Sequence, residues 1–303
     1  MPPADATRRH ASGRPATAAV ITAFRPGAAL LEAVRAASSQ CSPVVVVDNT
    51  PAGESGAEAL LGERPGVTLL RDGANRGLAA ALNQGVAEAP DVDAYLLLDQ
   101  DSTVPADLVS QLWAALQRDE RIAIASPAPW DPDAQRFLDP RTRARPEVAD
   151  MDVVITSGML LRRAAARELG DFREDFFVDG VDQDYCLRAR RAGWRIVQDR
   201  RVLLPHSLGE TRWHGIGPLR VRATHHPTWR LYWMARNGVV LIRENLRQRP
   251  RWALTSIALL AYSTMAVAAF EPPRAPRLSA IRAGVRDGLS GRLDARFVPE
   301  EKR

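Results

Sequence analysis

The stretch Tyr95-Leu96-Leu97-Leu98-Asp99-Gln100-Asp101-Ser102 is an apolar run that ends in two carboxylates. The run has the length and composition of a buried β-strand. Side chains at positions i and i+2 of an extended segment point to the same side, so Asp99 and Asp101 face one site. Two carboxylates this close favour a hard divalent cation, which binds oxygen ligands and bridges to phosphates. The stretch alone is equally compatible with a polar strand end that caps the next helix.

Strands and helices alternate around this stretch. Apolar runs at 18–24, 44–47 and 67–70 predict three further strands, and the second is a row of four valines closed by Asp48. Apolar residues at helical spacing follow the first and third of these strands. This alternation predicts an α/β fold with a doubly wound, mostly parallel sheet that binds ligands at the carboxyl ends of its strands. The chain has no G-x-G-x-x-G after the first strand and no G-x-x-x-x-G-K-[ST], so dinucleotide-binding and P-loop proteins are poor matches.

The composition is that of an ordinary globular protein. Of the 303 residues, 46% are hydrophobic and 25% are charged. A formal net charge of +5 and a pI of about 9.8 favour anionic partners. Two cysteines, Cys41 and Cys186, are too few for a disulfide framework or a CxxC zinc site. Residues 1–17 have no apolar core, so we expect a disordered lead rather than a signal peptide, and a cytoplasmic protein.

Two later segments have an unusual composition. Residues 126–150 are rich in Pro, Asp and Arg, which predicts a functional loop. Asp179, Asp182 and Asp184 lie near aromatic residues just before a helix that ends at Gly193. Carboxylates at a helix N-terminus interact favourably with the helix dipole, which explains one or two of these acids but not the aromatic neighbours.

Seven short motifs follow one another between Ala18 and Asn245. They are Val-Asp-Asn (47–49), Asn-Arg-Gly-Leu-Ala…Asn-Gln-Gly (75–85), Leu-Asp-Gln-Asp-Ser (98–102), Thr-Ser-Gly-Met-Leu (156–160), Phe-Val-Asp-Gly-Val-Asp-Gln-Asp-Tyr-Cys-Leu-Arg (177–188), Pro-His-Ser-Leu-Gly (205–209) and His-His-Pro…Arg-Leu-Tyr-Trp-Met-Ala-Arg-Asn (225–237). In this order they resemble glycosyltransferase family 2, the inverting GT-A enzymes that use nucleotide-sugar donors. Within that family the chain is most similar to the bacterial rhamnosyltransferase branch.

The resemblance implies a GT-A fold and a set of donor-binding and metal-binding residues. The matching positions are Asp48 for the pyrimidine base, Asn75, Arg76 and Gly77 for the nucleotide pocket, and Asp99 for the ribose and diphosphate. Asp99 and Asp101 match the metal ligands, and His206 matches an extra ligand that some relatives have. The implied cofactor is Mg²⁺ or Mn²⁺.

The resemblance also implies the residues that act on the acceptor. Asp182 matches the general base that takes a proton from the attacking hydroxyl, with Asp179 as an alternative. Asp184 would bind acceptor hydroxyls or orient the base. Many family members have glutamate at the position of Val181, so the residue before the implied base is apolar in this chain.

The segment from Arg220 to Arg251 has eight arginines and one acid, with aromatic residues among them. Nucleic acid fits such a charge pattern, but a lipid-diphosphate acceptor or an anionic membrane surface fits equally well, and we expect no nucleic-acid partner. The residues assigned to the acceptor or its phosphate are Arg230, Tyr232, Arg236 and Asn237.

Residues 252–270 contain no charged side chain over 19 positions, which is just long enough to span a bilayer. Three interpretations stay open: a membrane-associated or dimer-forming helix, a single C-terminal span, and a buried helix. The expected organisation is a lead (1–17), a GT-A domain (18–245) and a basic helical extension (246–303). The GT-A domain would comprise a donor-binding half (18–125) and an acceptor-binding half (126–245).

These observations predict a metal-dependent inverting glycosyltransferase. It would transfer L-rhamnose from dTDP-rhamnose to a hydroxyl of a lipid-linked, polyprenyl-diphosphate or cell-surface glycan, at the inner face of the plasma membrane. One alternative is a galactofuranosyl- or other hexosyltransferase that uses a UDP-sugar. A nucleotidyltransferase fits less well, because Phe24-Arg25-Pro26-Gly27 is a poor match to its glycine-rich loop. An inactive sugar- or membrane-binding scaffold is the alternative of another class.

Overall fold

The computed structural model describes residues 15–205, 211–216 and 219–293. The chain divides into two units, one comprising Met1–Phe172 with Tyr185–His206 and the other Arg173–Asp184 with Ser207–Arg303. Most of the predicted lead at 1–17 lies outside the described residues, although Thr17 already begins the first strand.

The first unit is built on one nine-stranded sheet. Its strands are β1 Thr17–Ala23, β2 Val44–Asp48, β3 Val67–Leu70, β4 Ala94–Asp99, β5 Ile122–Asp131, β6 Arg136–Phe137, β7 Val148–Asp150, β8 Met159–Arg162 and β9 Arg195–Pro205. Their order is β3-β2-β1-β4-β8-β5-β9-β7, with β6 paired to β5. Strands β1 to β5 and β9 run in one direction, whereas β6, β7 and β8 run in the other. The predicted α/β fold with a mostly parallel sheet is confirmed.

Helices cover this sheet because their apolar residues recur on one face. They are α1 Ala29–Ser38, α2 Ala57–Leu61, α3 Leu78–Glu88, α4 Leu108–Leu116, α5 Arg163–Leu169 and α6 Val181–Arg191, and the first four residues of α6 belong to the second unit. In α1 the buried residues Leu30, Ala33, Val34 and Ala37 lie at helical spacing. The whole of β2 is buried, as expected for a parallel strand with helices on both sides.

Strand register brings two of the predicted acids to the same edge of the sheet. Strand β1 pairs in parallel with β2 on one side and with β4 on the other. Ala23 is the partner of Asp48, and Thr22 is the partner of Asp99. The two carboxylates therefore end strands that flank β1, at the carboxyl edge where open α/β sheets bind ligands.

The prediction of a loop over residues 126–150 was wrong in part. Strand β5 continues to Asp131, and β6, a 3₁₀ turn at Pro140–Ala144 and β7 follow it. Pro127 and Pro129 had indicated a break, because proline lacks the N–H that a central strand donates. The strand accommodates them with a register shift at Pro127/Ala128 in its pairing with β9.

The second unit contains a hairpin and three long helices. The hairpin is β10 Thr211–Ile216 with β11 Leu219–Thr224, and the helices are α7 Thr228–Asn245, α8 Pro250–Phe270 and α9 Arg274–Ser290. Helices α7 and α9 pack so closely that only glycine fits at two positions of α9. A Cβ added at Gly288 would be 2.7 Å from the carbonyl oxygen of Arg236, and one at Gly284 would collide with the carbonyl of Tyr232. Among the described residues, α8 is the one helix long and apolar enough to cross a membrane.

Candidate active site

Asp48 is buried at the end of β2 with its carboxylate already engaged. Its Oδ1 accepts hydrogen bonds from the Thr50 amide at 3.1 Å and the Thr50 hydroxyl at 2.5 Å, and its Oδ2 accepts one from the Ser55 hydroxyl. Arg71 Nε lies 3.8 Å from Oδ2 and has no hydrogen-bond partner within the described part of the chain. A buried donor without an acceptor is costly, so the Asp48–Arg71 pair suits a ligand that offers both an N–H and a carbonyl.

The predicted nucleotide-pocket turn is held by Asn49, the residue after Asp48. Its Oδ1 accepts a hydrogen bond from the amide of Arg76 at 2.9 Å, and its Nδ2 donates to the carbonyl of Gly77 at 2.9 Å. Asn75 Oδ1 accepts from the Gly77 amide at 3.1 Å. Gly77 has a φ of +88°, which favours glycine, and it leads directly into α3. The Arg76 side chain is paired with Asp72, and this guanidinium lowers the pKa of the Asp72 carboxyl.

The two acids after β4 differ in exposure. Asp99 is half-buried and Asp101 is exposed. Gln100 points to the end of β1, where its Oε1 accepts from the amide of Phe24 at 2.9 Å and its Nε2 donates to the carbonyl of Phe24 at 3.2 Å. The glutamine between the acids therefore fixes the turn to the neighbouring strand.

The Thr-Ser-Gly motif at 156–158 packs behind the same turn. The hydroxyls of Ser102 and Ser157 are buried and 2.5 Å apart, and the Gly158 amide donates to the carbonyl of Leu97 at 2.9 Å. Gly158 has a φ of +79°, and a Cβ there would lie 2.7 Å from Pro127. Glycine is required at this position on both grounds.

The donor set at Asp99 and Asp101 fits a hard cation. Two carboxylates are the number that a Mg²⁺ or Mn²⁺ site typically takes from a protein when substrate phosphates supply further oxygens. Within residues 15–205, 211–216 and 219–293, no group of three His, Cys, Asp or Glu side chains forms a ready-made metal site. His206, the predicted third ligand, lies outside the described residues.

In the second unit, an irregular loop precedes α6. Phe177, Asp179 and Gly180 have positive φ angles of 46°, 56° and 80°, and the first two are conformations that side chains rarely adopt. Asn237 of α7 stabilises this loop, because its Nδ2 contacts the carbonyl oxygens of Phe176, Val178 and Asp179 at 3.0, 2.9 and 2.7 Å. We call residues 175–180 the acidic loop.

Two arginines of α7 also bind the acidic loop. Arg230 forms a two-pronged ion pair with Asp179, with N–O distances of 2.8 and 2.9 Å. Arg236 is fully buried, donates to the carbonyl of Asp175 and lies 4.5 Å from the centre of the Trp233 ring. Burial lowers the pKa of the Arg236 guanidinium below its usual value.

Tyr232 is enclosed in the same way. Its hydroxyl donates to the buried carboxylate of Asp287 on α9 at 2.9 Å. Tyr232, Arg236 and Asn237 were predicted to contact the acceptor or its phosphate, and their described contacts are instead with the protein. Arg230 is part-exposed, and its predicted role stays a prediction.

Asp182 and Asp184 lie in the first turn of α6. Asp182 is half-buried, and its Oδ1 accepts from the amide of Gln183 at 2.8 Å. Asp184 is buried, 3.6 Å from a guanidinium nitrogen of Arg173. Burial opposes the charge of Arg173, but hydrogen bonds to Glu244 and Asp175 outweigh it and raise the pKa of this arginine. Asp184 is buried beside this arginine, whereas Asp182 is partly exposed to solvent, so Asp182 is the better candidate for proton transfer.

Replacing Asn237 with alanine should lower both stability and turnover. The change removes the two amide N–H groups that three loop carbonyls share, at a cost of about 1–3 kcal/mol per carbonyl left unpaired. We expect a lower melting temperature and a kcat at least about tenfold lower with KM little changed, since the loop leads into the helix of Asp182. Thermal unfolding and steady-state kinetics measure the two effects.

Asn245 provides the matched control for that experiment. It is equally buried on the same helix, but its Nδ2 donates to the carbonyl of Leu241 in its own helix. Asn245→Ala should lower the melting temperature and leave kcat near that of the unmodified protein. Equal losses of kcat in the two variants would mean that Asn237 acts through stability alone.

Several residues around these acids were missed by sequence reasoning. Asn49 and Gln100 lie in recognised motifs, but only the adjacent acids, Asp48 and Asp99 with Asp101, were predicted to have a function. Arg71 had no local signal, because Asp48 is 23 residues away in the chain, and Arg173 had none for its contacts with Asp184 and Glu244.

The family model of glycosyl transferase family 2 matches residues 18–170, about half of the chain. The chain belongs to glycosyl transferase family 2. The prediction of the family and of a glycosyltransferase activity is thereby confirmed. The family match includes strands β1, from its second residue, to β8, and with them Asp48, the 75–77 turn and the acids after β4.

One curated relative and two solved structures are similar to this chain, and the structures share its fold. The chain is 26% identical over 242 residues to the dTDP-rhamnosyl transferase RfbF of Shigella flexneri, which covers 75% of this chain and 80% of that protein. Among solved structures it resembles the mannosyltransferase PcManGT of Pyrobaculum calidifontis, in complex with GDP-Man and Mn²⁺, with a TM-score of 0.61 and 17% identity over 92% of this chain and 88% of that one. It also resembles GalNAc-T7 with UDP, GalNAc and Mn²⁺, with a TM-score of 0.58 and 12% identity over 92% of this chain and 56% of that chain.

Proposed function

We propose that this family 2 enzyme is a metal-dependent inverting rhamnosyltransferase that uses dTDP-rhamnose. The observation that carries the proposal is the similarity to a dTDP-rhamnosyl transferase over three quarters of the chain. The acceptor would be a hydroxyl of a lipid-linked or cell-surface glycan, and the enzyme would act at the inner face of the plasma membrane.

The donor base would bind at Asp48 and Arg71. A thymine ring offers an N–H between two carbonyl groups, so the N–H can donate to the Asp48 carboxylate while one carbonyl accepts from Arg71 Nε. The Ser55 hydroxyl now donates to Asp48, and the base N–H would replace it. Residues 75–77 would line the nucleotide pocket, where the absence of a side chain at Gly77 lets the ligand approach the backbone.

Asp99 and Asp101 would hold a divalent cation at the donor diphosphate. When bound, such a cation neutralises the charge that grows on the departing nucleoside diphosphate. Gln100 keeps both acids in place, because it ties their turn to Phe24 at the end of β1.

Asp182 would serve as the general base. Its carboxylate takes the proton of the acceptor hydroxyl while the oxygen attacks the anomeric carbon from the side opposite the leaving group, which inverts the configuration. Asn237 and Arg236 hold the acidic loop that leads to this residue. Asp184 is buried beside Arg173, and we propose that it orients the start of α6.

A panel of nucleotide sugars tests the proposal. The protein is incubated with Mg²⁺ or Mn²⁺, a polyprenyl-diphosphate-linked glycan and one donor at a time, and release of nucleoside diphosphate is measured. We expect release from dTDP-rhamnose at least about tenfold above that from UDP- or GDP-sugars. Preference for a UDP-sugar would assign the enzyme to a different hexosyl transfer. Failure to bind or turn over any donor would support the inactive scaffold.

A further inference from the structure

Helix α8 exposes the large apolar side chains of Leu254, Ile257, Leu259, Tyr262 and Met265, and the first, fourth and fifth of these lie on one face. Leu254 is 62% exposed and Met265 is 64% exposed, with Ala258 and Tyr262 exposed between them. Their spacing of three and four residues places them on a single stripe, which Arg251 begins one turn earlier. An exposed apolar surface of this kind marks a binding site for a membrane or another protein. We call Arg251, Leu254, Ala258, Tyr262 and Met265 the α8 stripe.

The opposite face of α8 is packed within its own unit. Val267 and Leu260 pack in one apolar cluster with Leu231 of α7 and Ile281 of α9. Ala253, in the first turn of α8, is completely buried. The helix is therefore attached to its neighbours near both of its ends, and crossing a bilayer would require it to leave them.

The charged side chains exposed between residues 246 and 293 have one sign. Between residues 246 and 293 the chain has two acids, Glu271 and Asp287, and both are at most 2% exposed. Glu271 is paired with Arg277 at 2.9 Å, and Asp287 accepts from Tyr232. The charged side chains exposed in this range are all arginines: Arg247, Arg251, Arg274, Arg282, Arg286 and Arg292. Such a surface complements anionic lipid headgroups.

We infer that α8 docks flat on an anionic bilayer without spanning it. The α8 stripe enters the boundary between headgroups and acyl chains, while the exposed arginines bind lipid phosphates. This inference deepens the proposed function, since it says how the enzyme reaches a lipid-linked acceptor and rests on that function for its purpose. Vesicle binding needs no sugar transfer, however, so the two ideas fail separately.

A second copy of the chain is the competing occupant of the α8 stripe. In a parallel pair of α8 helices Arg251 would face Arg251 of the second copy, and in an antiparallel pair it would face the end of α8 that leads to Arg274, so neither arrangement offers it an exposed acid from residues 246–293. Like charges at close range destabilise such an interface, whereas an anionic bilayer attracts every one of them. The charge pattern therefore favours the membrane.

Vesicle co-sedimentation of the full chain tests the docking surface. Vesicles of phosphatidylglycerol and phosphatidylcholine should retain the protein, and pure phosphatidylcholine should retain much less. Leu254→Gln combined with Met265→Gln should weaken binding at least about tenfold, because two large apolar side chains no longer enter the lipid. Ile257→Gln combined with Leu259→Gln is the control on the same helix: it makes the same apolar-to-polar changes at exposed positions on either side of the α8 stripe and should weaken binding much less.

The role of charge is tested with two matched double variants. Arg247→Gln combined with Arg251→Gln should weaken binding to anionic vesicles by roughly fivefold for each charge removed. Arg118→Gln combined with Arg191→Gln removes the same charge from exposed positions of the first unit and should have little effect. Higher salt should weaken binding of the unmodified protein.

Depth measurements distinguish a docked helix from a spanning one. Both native cysteines are buried, so a fluorescent label reacts at Leu254→Cys or Met265→Cys. In a helix that lies flat, brominated lipids should quench both labels at the same depth. In a spanning helix, 11 residues separate the labels by about 16 Å in depth.

Three outcomes would overturn the inference. Unequal depths, with protein that only detergent extracts, would identify a span. Concentration-dependent dimers that the Leu254→Gln, Met265→Gln variant abolishes, without vesicle binding, would identify a second copy as the occupant. Equal binding to anionic and neutral vesicles would remove the role of the arginines. Circular dichroism and thermal unfolding verify that each variant is folded.

Discussion

Asp182→Asn should reduce kcat by about 10²–10⁴-fold, while the affinity for the nucleotide sugar changes little. An amide cannot accept the proton of the attacking hydroxyl, and a general base contributes about this factor, equivalent to roughly 3–5 kcal/mol of transition-state stabilisation. Asparagine keeps the size of the side chain and can still accept the hydrogen bond from the Gln183 amide. Single-turnover kinetics with saturating donor measures the effect on the chemical step.

Asp179→Asn is the matched comparison for this experiment. Asp179 is the alternative base, but its carboxylate forms a two-pronged ion pair with Arg230. We expect a moderate decrease in activity and a lower melting temperature, because the acidic loop loses an ion pair. A large loss of kcat in Asp179→Asn together with normal turnover in Asp182→Asn would transfer the role of the base to Asp179.

Removing the divalent cation, or one of its proposed ligands, should have the second-largest effect. We expect a chelator to abolish turnover and Mg²⁺ or Mn²⁺ to restore it. Asp101→Asn should reduce kcat/KM by about 10²–10³-fold, because electrostatic stabilisation of a leaving group is typically worth about 3–4 kcal/mol. Calorimetry of nucleoside diphosphate binding, with and without Mn²⁺, provides a readout that is independent of turnover.

Asp91→Asn is the control for the metal experiment. Asp91 is an exposed acid that precedes β4, whereas Asp101 follows it, so the variant removes the same charge at the opposite end of the strand. It should bind nucleoside diphosphate with the Mn²⁺ dependence of the unmodified protein. Full activity of Asp101→Asn in the presence of a chelator would show that the reaction proceeds without a cation at these carboxylates.

The central strands could be predicted from sequence because their environment is uniform. A strand buried on both faces must be apolar throughout, so the valines of β2 and the leucines of β4 predicted both strands almost to the residue. Asp48 and Asp99 are the last residues of these strands, so both acids could be predicted to lie at the carboxyl edge of the sheet, where parallel strands end. The extension of β5 through Pro127 and Pro129 was missed, because local propensity opposes it and the pairing with β9 overrides it.

The support of the acidic loop could not be predicted. Asn237 and Phe176 are 61 residues apart in sequence, and no local pattern indicates that one side chain binds three carbonyl groups of that loop. Arg230, Tyr232, Arg236 and Asn237 were grouped because arginines and aromatic residues together are typical of phosphate binding. Burial separates them, because Arg230 keeps part of its side chain in solvent whereas Tyr232, Arg236 and Asn237 are enclosed.

The close contact between α7 and α9 restricts how this protein can be shortened for crystallisation or expression. Deleting the chain from α8 onwards would remove the α8 stripe. It would also expose the surface of α7 against which Gly284 and Gly288 of α9 pack. Tyr232 would lose Asp287, and Arg236 would lose the carbonyl of Leu293. Polar substitution at Leu254 and Met265 is therefore the safer route to a better-behaved protein than truncation.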